Sequence, residues 1–252
     1  MTDFARLAND FIRVLGMNNS PVGFCYTDEK PDDAIGFKKI KRGSCIISLA
    51  YQASQGKIAA ADAETYGCPG AGRYLGFNPE VRQFFAEFLS CGMEDVVEGE
   101  RYIKTPELAQ IKIDRQQLPS APAQYAVFAP LTDWNFDAPP EIVIFFVPPD
   151  ILSALVVLSD YDNESEDSNT VVRFGSGCGQ IVAIPLDEAK REHPRAVLGM
   201  FDISARPWVP RDILTFAAPT PLFQRMAGNI EGSFLQTGAW EKIHQRVRQH
   251  NQ

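Results

Sequence analysis

The stretch "EIVIFFVPPDILSALVVLSDYD", Glu141 to Asp162, decides the fold class. Ile142–Val147 is a short apolar run rich in β-branched and aromatic residues, which reads as a strand. Pro148 and Pro149 break it before it can approach the ~20 residues of a membrane span. Beyond them Ile151, Leu152, Leu155, Val156 and Leu158 recur at helical spacing and give a broad apolar surface. A strand, a proline stop and an amphipathic helix make one unit of a layered α/β or α+β protein.

Outward from this unit the same alternation continues. "QYAVFAPL" before it and "RAVLGMFD" and "DILTFAA" after it read as strands. So do "PVGFCY", "KIAAADAE" and "TVVRF". Helices are expected at Asp3–Leu15, "CIISLAYQASQG", "TPELAQ", "PLFQRMAGNIEGSFL" and "GAWEKIHQRVRQ". The cleanest helical pattern is "NPEVRQFFAEFLSCG", with Asn78 to cap it, Pro79 and Glu80 for its first turn and Gly92 to end it. Strands and helices interleave without strict alternation, so the expected architecture is a mixed sheet with flanking helices in one domain, 1–252.

Two tracts follow a similar script. A strand at 22–26 leads to "RGSCIISLAY", and a strand at 142–147 leads to "FGSGCGQIVAI". In each, a Gly-Ser element delivers a cysteine to an apolar helix. This predicts two degenerate repeats sharing one core, 17–92 and 123–217, followed by C-terminal helices over 219–249, with Cys45 and Cys178 in equivalent places.

The chain has 252 residues, 45% hydrophobic and 22% charged, with a net charge of −8. That balance fits a globular protein and argues against nucleic acid or an anionic membrane as partner. The N-terminus "MTDFARLANDF" has no signal-type apolar core, so the expected compartment is the cytoplasm. Five cysteines, an odd number, do not read as a disulfide framework there.

Three of the five stand at expected helix starts among small residues. Cys45 follows Gly43-Ser44, Cys68 precedes Pro69, and Cys178 lies within "GSGCG". Free N–H groups and the helix dipole at such positions favour the thiolate, which binds soft metals and attacks electrophiles. Gly67, Gly70, Ser176, Gly177 and Gly179 would let backbone amides approach an anion or cluster, and Arg206 in "FDISARPW" could clamp an anionic ligand, with Asp202 holding it. Cys25, in an apolar strand, and Cys91, at a helix C-terminus, read as structural. Of the histidines, His244 and His250 are expected to face solvent, leaving His193 as the one partner for a Cys–His pair. No Cys-x-x-Cys spacing is present, so a shared site has to be assembled by the fold.

Together "SPVGFCY", "GCPGAGRYLGF", "PPDILSALVVLSDYD", "FGSGCGQIVAIPL", "PRAVLGMFDISARPWVP" and "SFLQTGAWEKI" resemble the family called domain of unknown function 169, over roughly Pro21 to Ile243. The resemblance brings no activity with it. Cys68 in "CPG" and Cys178 in "GSGC" match the family's pattern best, and Cys91 stands where a different residue is expected. The expected function is a metal or iron–sulfur site on Cys68 and Cys178, with Cys45 as third ligand. The alternatives are a metal-free nucleophilic or redox cysteine and a module for a small anionic ligand.

Overall fold

The computed structural model of the chain describes residues 2–39 and 44–250. Seven strands form one sheet: β1 (Val22–Thr27), β2 (Ala59–Ala61), β3 (Tyr125–Pro130), β4 (Ile142–Val147), β5 (Thr170–Val171), β6 (Ala196–Gly199) and β7 (Leu214–Pro219). Their order is β2-β3-β1-β4-β7-β6-β5, antiparallel except for β5 beside β6. The mixed sheet expected from the sequence is therefore present. The helices are α1 (Phe4–Leu15), α2 (Ile46–Ser54), α3 (Pro69–Tyr74), α4 (Phe85–Leu89), α5 (Pro106–Asp114), α6 (Pro149–Ser159), α7 (Ile184–Glu188), α8 (Thr220–Gly228) and α9 (Gly238–His250). Among the described residues no helix is long and apolar enough to cross a membrane.

Strand alternation sends successive side chains to opposite faces, and each face takes its own helical layer. Val22, Phe24, Ile142, Ile144, Phe146 and Ala217 meet α2, α3 and the helical run that leads into α7. Val143, Phe145, Val147, Phe216 and Ala218 meet α1, α6, α8 and α9. Phe145 sits among Phe11, Phe216 and Phe223, with ring centroids 5.4, 6.1 and 6.1 Å away. Burial of each such side chain contributes about 1.5–3 kcal/mol.

The strand ladder has an internal two-fold pattern. β1 pairs with β3 from Val22↔Pro130 to Thr27↔Tyr125, and β4 pairs with β7 from Ile142↔Pro219 to Val147↔Leu214. β2 adds Ala59↔Phe128 through Ala61↔Ala126, as β6 adds Val197↔Ala217 through Gly199↔Thr215. The parallel bridge Ile35↔Ala59 answers Val171↔Val197. At the centre, Val22↔Ile144 and Phe24↔Ile142 exchange with each other about Gly23↔Val143. The ladder is thus unchanged when β1 and β4, β3 and β7, and β2 and β6 are swapped. In this register β3 stands to β1 as β7 stands to β4. α2 and the run into α7 lie in equivalent layers, whereas α6 has no counterpart between β1 and Ile35.

Two helices depart from the sequence pattern. Over 78–92 only Phe85–Leu89 is helical. Asn78 caps a single amide, that of Glu80, and the Arg73 guanidinium takes the Pro79 carbonyl at 2.5 Å. Phe84 then turns left-handed at φ 58, and Val81 stays exposed, so nothing buries the first half of the pattern. α8 stops at Gly228, and a 3-10 turn at Phe234–Gln236 replaces its expected continuation.

Candidate functional site

The three cysteines chosen from the sequence do open helical segments. Cys45 is the extended residue that caps α2, and Cys68 holds the same position before Pro69 of α3. Cys178 lies in the first turn of a run that begins at Gly177, passes through a π-turn at Gly179–Ala183 and continues as α7. A π-turn is an inserted residue in the ladder, a feature frequent at functional sites. Gly43, singled out before Cys45, lies outside the described residues, as does the side chain of His250.

The fold brings the three sulfurs into one neighbourhood on the α2–α3–α7 side of the sheet. Cys178 is buried in that core, and Cys45 and Cys68 pack against it. Burial raises the Cys178 thiol well above its ordinary pKa, and negative charge on Cys68, Cys45 or Asp202 raises it further. The Ser176 hydroxyl, 3.3 Å from the Cys178 sulfur, works against this. Burial likewise pushes Cys45 up to about 12, reinforced by Cys68 and Asp202. The amides of Ile47 and Ser48 pull Cys45 down, although its side chain makes no capping hydrogen bond. The helix-start effect expected from the sequence is present and desolvation outweighs it.

Asp202 organises the floor of this cluster. It is only 8% exposed, and its carboxylate accepts from the Gly177 amide at 2.8 Å and from the Ser204 amide and hydroxyl at 3.0 and 2.7 Å. The helix that carries Cys178 is thereby tied to the turn after β6. On the other flank Tyr74 and Ser176 share a hydrogen bond, and the Tyr74 hydroxyl meets the Gln116 amide nitrogen at 3.2 Å. The sequence reading had paired Asp202 with Arg206. Arg206 instead donates to the carbonyls of Pro210, Arg211 and Ile213, closing the turn before β7.

The glycines named as ligand-binding have identifiable packing duties. A β-carbon on Gly177 would stand 2.8 Å from the Ala205 β-carbon and 3.2 Å from Ile47, so the two helix starts can meet only here without a side chain. A β-carbon on Gly179 would stand 3.2 Å from the Tyr74 ring, and one on Gly67, at φ +91, would stand 2.6 Å from Phe37. Gly70 differs: its nearest neighbour would be the Cys68 sulfur at 3.8 Å. Gly177→Ala is therefore expected to destabilise the protein by about 1–3 kcal/mol through overpacking. Gly70→Ala should be neutral or stabilising by up to ~1 kcal/mol, since alanine suits a helix. Urea unfolding of the two variants checks this; equal midpoints would contradict the close approach at Gly177.

Cys25 points to the opposite face of the sheet, among Ala60, Val127 and Ala129, and burial raises its thiol to about 12. Cys91 is exposed. His193 is exposed on the turn before β6. His244, expected in solvent, is buried and stacked on Trp240. Tyr74, Glu100 and Tyr102 carry no site signal in the sequence, and Asp202 is placed there only as a partner for Arg206; the Asp-x-Ser turn after β6 is the local signal for its observed role. Among the described residues no three His, Cys, Asp or Glu side chains stand in the geometry of a formed metal site.

A mixed seven-stranded sheet between helical layers makes this an α/β protein. The family model for domain of unknown function 169, described as "Uncharacterised ArCR", matches residues 10–229, and the chain belongs to that family. No curated protein and no solved structure matches the chain.

Proposed function

We propose that the protein binds a soft metal ion or an iron–sulfur cluster through Cys68 and Cys178, with Cys45 as third ligand. The observation that carries this reading is the gathering of three thiols from distant segments, Cys178 buried and Cys45 and Cys68 partly buried, into one neighbourhood with Asp202. Each negative charge there disfavours the others. A bound cation would reverse that balance, displacing the thiol protons and supplying the missing positive charge. An all-sulfur donor set suits soft ions and clusters rather than magnesium or calcium. The sulfurs do not stand ready as ligands, so binding draws them together. Three protein ligands leave a fourth position of a tetrahedral ion open to a small molecule.

The alternatives have less support. A nucleophilic or redox thiol at Cys178 or Cys68 is the second reading; it needs a lowered pKa, and burial raises that of Cys178. A small anion would meet Asp202 and packed glycines rather than free amides. The test is metal and acid-labile sulfide content, with a visible spectrum, on protein purified without oxygen, followed by titration with cadmium. Stoichiometric metal, or cadmium binding with a thiolate charge-transfer band, supports the reading. Metal-free protein that takes up no cadmium sinks it.

A further inference from the structure

Buried Cys178 needs an entrance, and one part of the chain is built separately from the rest. α4 and α5 pack chiefly on each other, and Ala86, Ile103, Ala109 and Ile113 form a small core of their own with Phe85, Leu89 and Tyr102. The loop between them folds back on α4, with the Glu100, Arg101 and Ile103 amides donating to Phe88, Ser90 and Leu89. The body holds the chain on either side of this unit. Arg73 grips Pro79 before it, and the Ala121 amide donates to Gly76 after it. Phe84, left-handed at φ 58, stands at its start.

Its contacts with the body fall around the cysteine cluster. Tyr102 accepts from the Ser204 amide at 3.0 Å, beside Asp202. The Tyr102 ring meets the Phe174 ring edge-on at 6.1 Å, and the Lys112 ammonium lies 5.7 Å from the Phe174 ring centroid. Gln116 joins Tyr74, which leads through Ser176 to Cys178. These are a few polar and ring-edge contacts at part-exposed positions, weak beside an internal apolar core.

We propose that residues 84–116 form a lid over Cys178, latched by Tyr102 on Ser204 and Phe174 and by Gln116 on Tyr74, which opens as a unit to admit the ligand of the cysteine site. The proposal takes from the proposed function only that these cysteines are the working groups. Glu100 sets a bias on the latch. Burial first, and the Asp202 carboxylate second, raise its pKa, against a hydrogen bond from Tyr102 and the charge of Arg82. A carboxyl raised in the closed form supports closure below its ordinary pKa and loses that support as pH rises through the raised value. Ionisation of Glu100 therefore works against the closed lid.

The test is the rate at which maleimide labels Cys178, read by peptide mass, in the metal-free full chain at neutral pH. Tyr102→Phe removes the acceptor for Ser204 and should raise that rate about fivefold, as expected for one lost hydrogen bond. Phe174→Ala should raise it further. Glu100→Gln should lower it. None of the three should move the urea midpoint enough to account for the change. Amides of α4 and α5 should also exchange together, ahead of those of β1 and β4. Labelling rates unchanged in all three variants, or rising only in step with global unfolding, overturn the lid. Because labelling uses no metal, a chain that shows these rates yet binds no cadmium would sink the metal reading and leave the lid standing.

Discussion

Cys178→Ser is expected to weaken cadmium or iron binding by ~100-fold or more, and Cys68→Ser to do the same. A serine oxygen is a hard, weakly acidic donor and replaces one of three soft thiolates. Cys45→Ser should fall in the same direction, whereas Cys25→Ser and Cys91→Ser leave affinity unchanged. Cys25 lies across the sheet, and Cys91 is exposed outside the cluster. The pH dependence follows from the protonated resting thiols. Cys45 holds its proton to about 12 and Cys178 is also raised, so a metal has to displace protons at neutral pH. Affinity should therefore rise with pH, by about tenfold per unit for each proton released. Competition titrations with a chelator between pH 6 and 9, roughly the range over which exposed thiols begin to ionise, read both effects. Retained stoichiometry in Cys178→Ser together with Cys68→Ser, or a flat pH profile, would remove these thiols from the site.

Local chemistry was what the sequence displayed well. Gly-Ser before Cys45, proline after Cys68 and the glycines around Cys178 each mark a chain reversal into a helix, and the structure has helical segments starting at all three. The strands of "EIVIFFV" and "DILTFAA" are equally plain, because Ile142–Val147 and residues 215–219 are all buried. Less legible was whatever depends on a distant partner. The pattern over 78–92 predicts a long helix, yet Arg73 from α3 takes the carbonyl that such a helix would start with. His244 in a polar helix reads as solvated until Trp240 stacks on it. Asp202 reads as a partner for the nearby Arg206, but an amide 25 residues earlier in the chain claims its carboxylate. The sign of the thiol shifts belongs to the same class. A helix start lowers a cysteine's pKa locally, and only the assembled core shows that desolvation is larger.

Glu188→Ala is expected to cost about 3 kcal/mol of stability. Its carboxylate is fully buried at the end of α7. Arg195 engages both oxygens at 2.9 and 3.0 Å, Arg191 adds 2.9 Å, and Arg173 reaches it at 3.3 Å while pairing more closely with Asp187 at 2.7 Å. These arginines come from the segment after β5, the turn after α7 and the approach to β6. Removing the carboxylate leaves three cations facing one another over a void, a change that costs roughly 3–5 kcal/mol when the partners stay buried. Here the guanidiniums are between 28% and 51% exposed and can turn toward water, which favours the lower figure. For a chain of this length the loss corresponds to a fall in Tm of order 10 °C. Glu188→Gln keeps an acceptor and the volume, so it should lose less. A Glu188→Ala protein with wild-type Tm would mean that the arginines are independently solvated. The same helical run begins at Gly177 and carries Cys178, so loosening its far end should raise the labelling rate of Cys178 as well as lowering Tm. That pairing separates anchoring of the site's helix from general stability: Phe145→Ala, in the opposite layer, should lower Tm by a similar amount without raising Cys178 labelling in the native state.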